Sequence, residues 1–260
     1  MKVNQYNKYF IGPRFYYMKD PSDDTFCYHY FIGMAYENDI EKSFLEELDK
    51  TFKRNGVKYC CKGYDDYDFY EDPINNRHEQ DDVFSYYFDK GNSLYSYIKD
   101  IMCLVYKYRP LIFRSTDHRS FLEQSNINFD VFKRLHKAEI NGVIFAYINY
   151  LGENVPHEET AIVTENQYVI DELLEVGYEG SLFKVEEGYD VFSAYCDFIH
   201  TLSNYILKLV AKGDSINPRE KKLLNLMRAA YALAIHRKNS IFTKNYDKEI
   251  EKYFAPKPKK

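Results

Sequence analysis

The stretch from Cys27 to Cys61, CYHYFIGMAYENDIEKSFLEELDKTFKRNGVKYCC, constrains the fold more than any other part of the chain. Its first run, Tyr28 to Met34, is short, apolar and aromatic, as expected of a strand buried on both faces. Asn38 or Asp39 can cap a helix behind it, in which Ile40, Phe44, Leu48 and Phe52 recur at spacing four and form one apolar face. Asn55-Gly56 ends that helix, and Val57 to Cys61 returns as a strand. Strand, amphipathic helix and strand in succession make a βαβ unit, which implies parallel pairing through a right-handed crossover.

The alternation continues. A helix is expected from Asn92 to Lys107, with Leu94, Ile98, Ile101, Met102 and Val105 on its apolar face, followed by a strand beginning at Leu111. A further helix carries Phe129, Phe132, Leu135 and Ala138, and leads past Asn141-Gly142 into the apolar strand VIFAYIN. Repeated alternation predicts a doubly wound α/β domain with a mostly parallel sheet. The first 26 residues, without a clean period, read as an extended arm or edge strand ending in the turn Pro21-Ser22-Asp23-Asp24. Residues 62–82 read as a long acidic loop interrupted by Pro73.

From Gly152 to Gly188 the pattern weakens to two short strands, AIVT and SLFKV, around a helix, QYVIDELLEVG. They either complete the sheet or form a separate cap. The C-terminal third is a helical hairpin. Val191, Tyr195, Phe198, Leu202 and Leu209 mark its first helix, which Gly213 stops; Asn217 caps the second, with Pro218 at its first position. The expected organisation is an arm over 1–27, an α/β domain over 28–188, the hairpin over 189–250 and a disordered basic tail over 251–260.

The chain of 260 residues is long enough to bury a sizeable core without disulfides. A formal net charge of −5 supplies no overall basic field for nucleic acid or anionic lipid. Its longest apolar runs are too short to span a bilayer, and the N-terminus lacks the order of a secretion signal, so a soluble, cytoplasmic protein is expected. Five cysteines without metal-ligand spacing read as reduced core residues. The 27 tyrosines are spread along the chain rather than grouped over a basic stripe, which assigns them to packing and surface contact before base stacking.

No glycine-rich phosphate loop, Gly-x-Ser-x-Gly elbow or H-E-x-x-H zinc pattern occurs. The acids between Asp65 and Asp82, with His78, lack the fixed spacing and turn glycine of a calcium loop, and no metal is expected. His118 and His136 invite a general-base reading, but neither has an evident nucleophile in a motif, which favours surface or capping roles.

The segment YFIGMAYENDIEKSFLEELDKTFKRNGVKYC resembles the start of Toll/interleukin-receptor (TIR) domains and the related deoxyribosyltransferase-like domains. GNSLYSYIKDIMCLVYKYRPLIFRST and FDVFKRLHKAEINGVIFAYI are similar to the family's next helix–strand segments, so the resemblance spans Tyr28 to Leu151. It implies a TIR-like or flavodoxin-like fold and an enzyme that binds or cleaves NAD or a related adenine nucleotide, in a defence or signalling role. NAD would be a substrate and no cofactor is implied.

The family's glutamate, placed after the third strand, stabilises the cationic sugar formed as the nicotinamide–ribose bond breaks. Here the matching position holds Asp130, one methylene shorter, and Glu123 is the second candidate. Gly33 and Ala35 would let a nucleotide approach the first strand, and Arg114 and Ser115 would contact phosphate. Self-association or a protein partner would complete the pocket. The alternative is a non-catalytic adaptor or inhibitor that uses its tyrosine-rich surface and C-terminal helices, because tyrosine contributes large contact area at low entropic cost.

Overall fold

A computed structural model describes residues 9–19, 26–36, 39–57, 79–120, 161–164, 167–175, 177–184, 190–234 and 247–257. The chain divides into two compact units, each built from two separate stretches: 1–37 with 113–186, and 38–112 with 187–260.

The first unit holds a mixed sheet. Its strands are β1 (Tyr9–Lys19), β2 (Phe26–Tyr36), β3 (Leu111–Ser120), β4 (Ala161–Thr164) and β5 (Ser181–Lys184), in the order β3-β2-β1-β4-β5. β1 and β2 are antiparallel, from Tyr9 opposite Tyr36 to Lys19 opposite Cys27. The register slips once, between Ile11 and Arg14, so that Gly12 and Pro13 face the single residue Gly33. That is a β-bulge, and a proline fits there because it has no N–H to give to the ladder.

β1 also pairs in parallel with β4, which makes the expected edge strand the third of five. β4 pairs in parallel with β5 around helix α4 (Gln167–Glu175). Ile162, Val163 and Thr164 are buried in succession, as a strand covered on both faces requires. Residues 161–184 therefore complete the sheet. α4 closes at Gly177, where the amides of Gly177 and Tyr178 bond back to Leu174 and Leu173.

The second unit is helical: α1 (Asp39–Arg54), α2 (Glu79–Phe88), α3 (Asn92–Tyr108), α5 (Asp190–Ala211), α6 (Pro218–Ala234) and α7 (Asp247–Phe254). α1 forms where its apolar spacing places it, and Phe44, Leu48 and Phe52 are fully buried. Burying side chains of this size contributes about 1.5–3 kcal/mol each. Ile40, the fourth member of the expected stripe, is 48% exposed, and Glu41 is buried in the first turn instead. The helix ends in a paired return, Gly56 N–H to Lys53 C=O and Val57 N–H to Phe52 C=O, with Gly56 at φ +79°.

α3 packs on α1, α2, α6 and α7, and α5 on α1, α2 and α6. Phe84 of α2 sits among three aromatic rings, with centroids 5.9 Å to Tyr97, 5.6 Å to Phe198 and 5.3 Å to Tyr205. The polar edge of Tyr205 is met by Ser85 Oγ at 2.8 Å. α5 and α6 pack as a hairpin, as their stripes imply, but within a larger helical unit rather than as an appendage. The cap at Asn217 is reciprocal: the Glu220 N–H donates to Asn217 Oδ1 at 2.9 Å, and the Asn217 N–H to Glu220 Oε2 at 3.1 Å.

The expected doubly wound, mostly parallel α/β sheet of TIR-like or flavodoxin-like type is not formed. Helix predominates among the described residues, and β2, the first strand of the expected βαβ unit, takes an antiparallel partner that precedes it in sequence. The parallel strand–helix–strand unit lies instead at Ala161–Lys184. α1 and α3, read as crossovers flanking a sheet, pack their apolar faces among α5 and α6. Part of the expected acidic loop, Glu79–Asp82, is the first turn of α2, while the return strand at 58–61, residues 62–78 and the helix and strand over 121–151 lie outside the described residues.

Candidate functional site

Gly33 and Ala35 lie on β2 and Arg114 and Ser115 on β3, neighbouring strands of one sheet. Ala35 pairs with Phe10, and Gly33 stands opposite the Gly12-Pro13 bulge. Because β1 and β2 are antiparallel, the C-terminal end of β2 lies beside the start of β1. β1 and β2 therefore share no rim of parallel strand ends of the kind where an open α/β sheet receives its ligand. Asp130 and Glu123 lie outside the described residues, as do His136 and His78. Among the described residues no three His, Cys, Asp or Glu side chains group as metal ligands.

The helical unit carries a different arrangement, repeated along its surface, in which a cation lies over a tyrosine ring. Lys90 Nζ is 4.1 Å from the Tyr86 centroid, Lys107 4.4 Å from Tyr108, and Lys208 4.6 Å from Tyr205. The Arg109 guanidinium is 4.1 Å from Tyr106 and Lys252 Nζ 5.5 Å from Tyr253. These pairs are local, one to four residues apart. A sixth joins two helices, Lys222 of α6 over Tyr95 of α3 at 4.8 Å.

Two kinds of cation can be distinguished in this unit. Lys53, Arg54, Lys107 and Lys212 are paired with Asp49, Asp100, Glu47 and Glu220. Lys208, Lys222, Lys252 and Arg109 rest on rings and have no carboxylate partner among the described residues. A cation over a ring is partly desolvated and gains about 0.5–1 kcal/mol at an exposed site.

Among the described residues the ionisable groups that shift are, with one exception, moved away from neutrality. The Tyr108 hydroxyl, donating to Glu47 Oε1 at 2.6 Å, and then the Lys107 ammonium hold the Glu47 carboxyl below its usual range. Tyr108 and then Glu47, through hydrogen bonds, hold Lys107 above its own. Burial pushes the Tyr178 phenol up to about 12 and raises those of Tyr195 and Tyr95 and the Cys103 thiol. Groups displaced in this way are poor proton carriers near neutral pH. Tyr86 is the exception: its exposed phenol is lowered by the hydrogen bond from Lys90 Nζ at 2.8 Å.

The sequence contains a trace of this surface, since Tyr86 and Lys90 stand four apart in one helix and Lys107-Tyr108-Arg109 are adjacent. The cross-helix pair Tyr95–Lys222 has no local signal. Compared with models of known protein families, with curated proteins and with solved structures, the chain has no match. No helix of the described residues is long and apolar enough to cross a membrane.

Proposed function

We propose that the chain is a non-catalytic protein-interaction module, an adaptor or inhibitor, acting through the tyrosine-and-cation surface of its helical unit. The observation that carries this reading is the set of ring-seated cations without carboxylates. Tyrosine offers a stiff, amphipathic contact area, and a cation already partly stripped of water loses less on meeting an acid from another molecule. Tyr86, 61% exposed at the end of α2, belongs to the same surface. The reading of an enzyme that cleaves NAD supposes a rim of parallel strand ends near Gly33 and Ser115, to which the antiparallel β1 cannot contribute.

A photo-crosslinking amino acid placed at position 86 or 253, and at the exposed Glu175 of the sheet unit as control, tests the reading in the native cell. Discrete protein adducts at 86 or 253 and none at 175 are expected. Adducts confined to position 175, or release of nicotinamide from NAD that an Asp130→Ala change abolishes, would overturn it.

A further inference from the structure

Three helices of the helical unit meet at one strip of surface. Arg219, in the first turn of α6, lies against Gly91 at the start of α3, where an added methyl group would overlap its guanidinium, and donates from Nη2 to the Asp89 carbonyl at 2.6 Å. One turn further along each helix, Lys222 covers the ring of Tyr95. α7 packs on both α3 and α6 and brings Tyr253, which lies close enough to act on the Tyr95 phenol, with Lys252 over its ring. Arg219–Lys222–Tyr95–Tyr253–Lys252 is thus a continuous run of three cations and two tyrosines drawn from three helices.

Its charge is uncompensated. The bonds of Arg219, Lys222 and Lys252 go to a backbone carbonyl and to rings, with no carboxylate among the described residues. The neighbouring acid Glu220 is committed to Lys212 and to the Asn217 amide. All three cations are exposed and both tyrosines partly so. Two exposed acids alongside, Asp89 and Glu251, form no ion pair with these cations.

We infer that this strip docks an acidic segment of a partner protein, whose carboxylates meet Arg219, Lys222 and Lys252 and whose apolar side chains lie along Tyr95 and Tyr253. The assignment rests on the interaction-module reading and specifies its surface and partner chemistry. A single-stranded nucleic acid would also bring negative charge, but it needs open ring faces for its bases, and Lys222 and Lys252 occupy faces of these two rings. Carboxylates set among apolar side chains fit both the cations and the ring edges that remain.

The test uses the full chain, isotope-labelled, with amide shifts followed by NMR against three probes. These are an amphipathic peptide of alternating Glu and Leu, the same peptide with Lys in place of Glu, and a mixed-sequence single-stranded oligodeoxynucleotide. The acidic peptide is expected to shift the amides around Tyr95, Arg219, Lys222 and Tyr253, with affinity falling as salt is raised. Lys222→Glu and Lys252→Glu should each weaken it by about tenfold, within the range for charge pairs at an interface. Arg228→Glu, exposed on α6 six residues beyond Lys222, should leave it within about twofold, which separates a local site from net charge.

Unchanged circular dichroism in each variant excludes unfolding as the cause. Shifts confined to other surfaces, equal binding by the Lys222→Glu and Lys252→Glu variants, or tighter binding of the oligonucleotide would each overturn the assignment. Crosslinks at position 86 with none at 253 would overturn it while leaving the interaction-module reading in place.

Discussion

Gly91→Ala should be among the most damaging single-methyl changes in the helical unit. Gly91 has φ +55° and ψ −59°, and the Lys90 carbonyl accepts from the Asn92 amide across it at 2.6 Å. This is a γ-turn of the strained, positive-φ kind, a conformation that side chains rarely share. Imposing it on alanine costs about 1–3 kcal/mol. The new methyl would also push aside the Arg219 guanidinium and break its bond to the Asp89 carbonyl. That exposed charged bond adds about 0.5–1 kcal/mol, at the low end for its type. A total loss of about 1.5–4 kcal/mol follows. Urea denaturation monitored by far-ultraviolet circular dichroism measures it.

The Arg219→Ala background separates the two terms, because there the methyl has room and only the backbone strain remains. Asparagine provides a sharper check. It tolerates the ordinary left-handed region, where ψ is positive, but gains nothing at ψ −59°, so Gly91→Asn should be about as damaging as Gly91→Ala. At Gly56, a helix C-terminal position with open space around it, the asparagine change should be milder than the alanine change. A Gly91→Ala protein within about 0.5 kcal/mol of the parent would refute the turn geometry and the reasoning built on it.

Other expectations follow from single contacts. The Tyr195 hydroxyl is buried without a hydrogen-bond partner, so Tyr195→Phe should keep the ring packing on Phe44 and raise the denaturation midpoint, by up to about 1 kcal/mol of stability. Asn217→Ala removes one half of the reciprocal cap on α6 and should cost about 1 kcal/mol in the same assay. Glu47 has a depressed folded-state pKa, so its stabilisation is present above the unfolded value and is lost as pH falls through the folded one. Glu47→Gln should therefore flatten the acid limb of a stability–pH profile between near-neutral pH and about pH 3. Lys107, raised in the same cluster, gives stability that is lost only as pH rises through its folded value, so the neutral plateau should be unaffected.

Where α1, α3, α5 and α6 begin and end was legible, because those signals are local, whereas α2 starts inside the expected acidic loop and α7 continues to Phe254, into the expected tail. The stripe Leu94, Ile98, Ile101, Met102 and Val105 is buried as its spacing predicts, and Asn217-Pro218 starts α6 where its chemistry requires. Partnership was not legible. A strand followed by an amphipathic helix fits βαβ pairing and an antiparallel hairpin equally well, and the aromatic run Tyr9–Lys19 carried no period to reveal that β2 would pair with it. The apolar faces of α1 and α3 fit a sheet or other helices alike. Of the proposed nucleotide contacts, Gly33, Ala35, Arg114 and Ser115 fall on neighbouring strands, β2 and β3, while β2 takes the antiparallel β1 on its other edge. The strip around Tyr95 and Lys222 depends on the pairing of α3 with α6, more than a hundred residues apart, and nothing in either segment announces the other.

The division of the chain into interleaved halves has a consequence for how the protein is made. Each unit opens with one stretch and waits for a second that follows the other unit's opening stretch, so neither can finish on the ribosome before most of the polypeptide has emerged. During that interval Phe44, Leu48 and the apolar side of α3 have no α5 or α6 to cover them. A fragment cut at either junction would inherit the same bare surface, so limited proteolysis should yield aggregates or an intact nicked complex in place of two separable pieces.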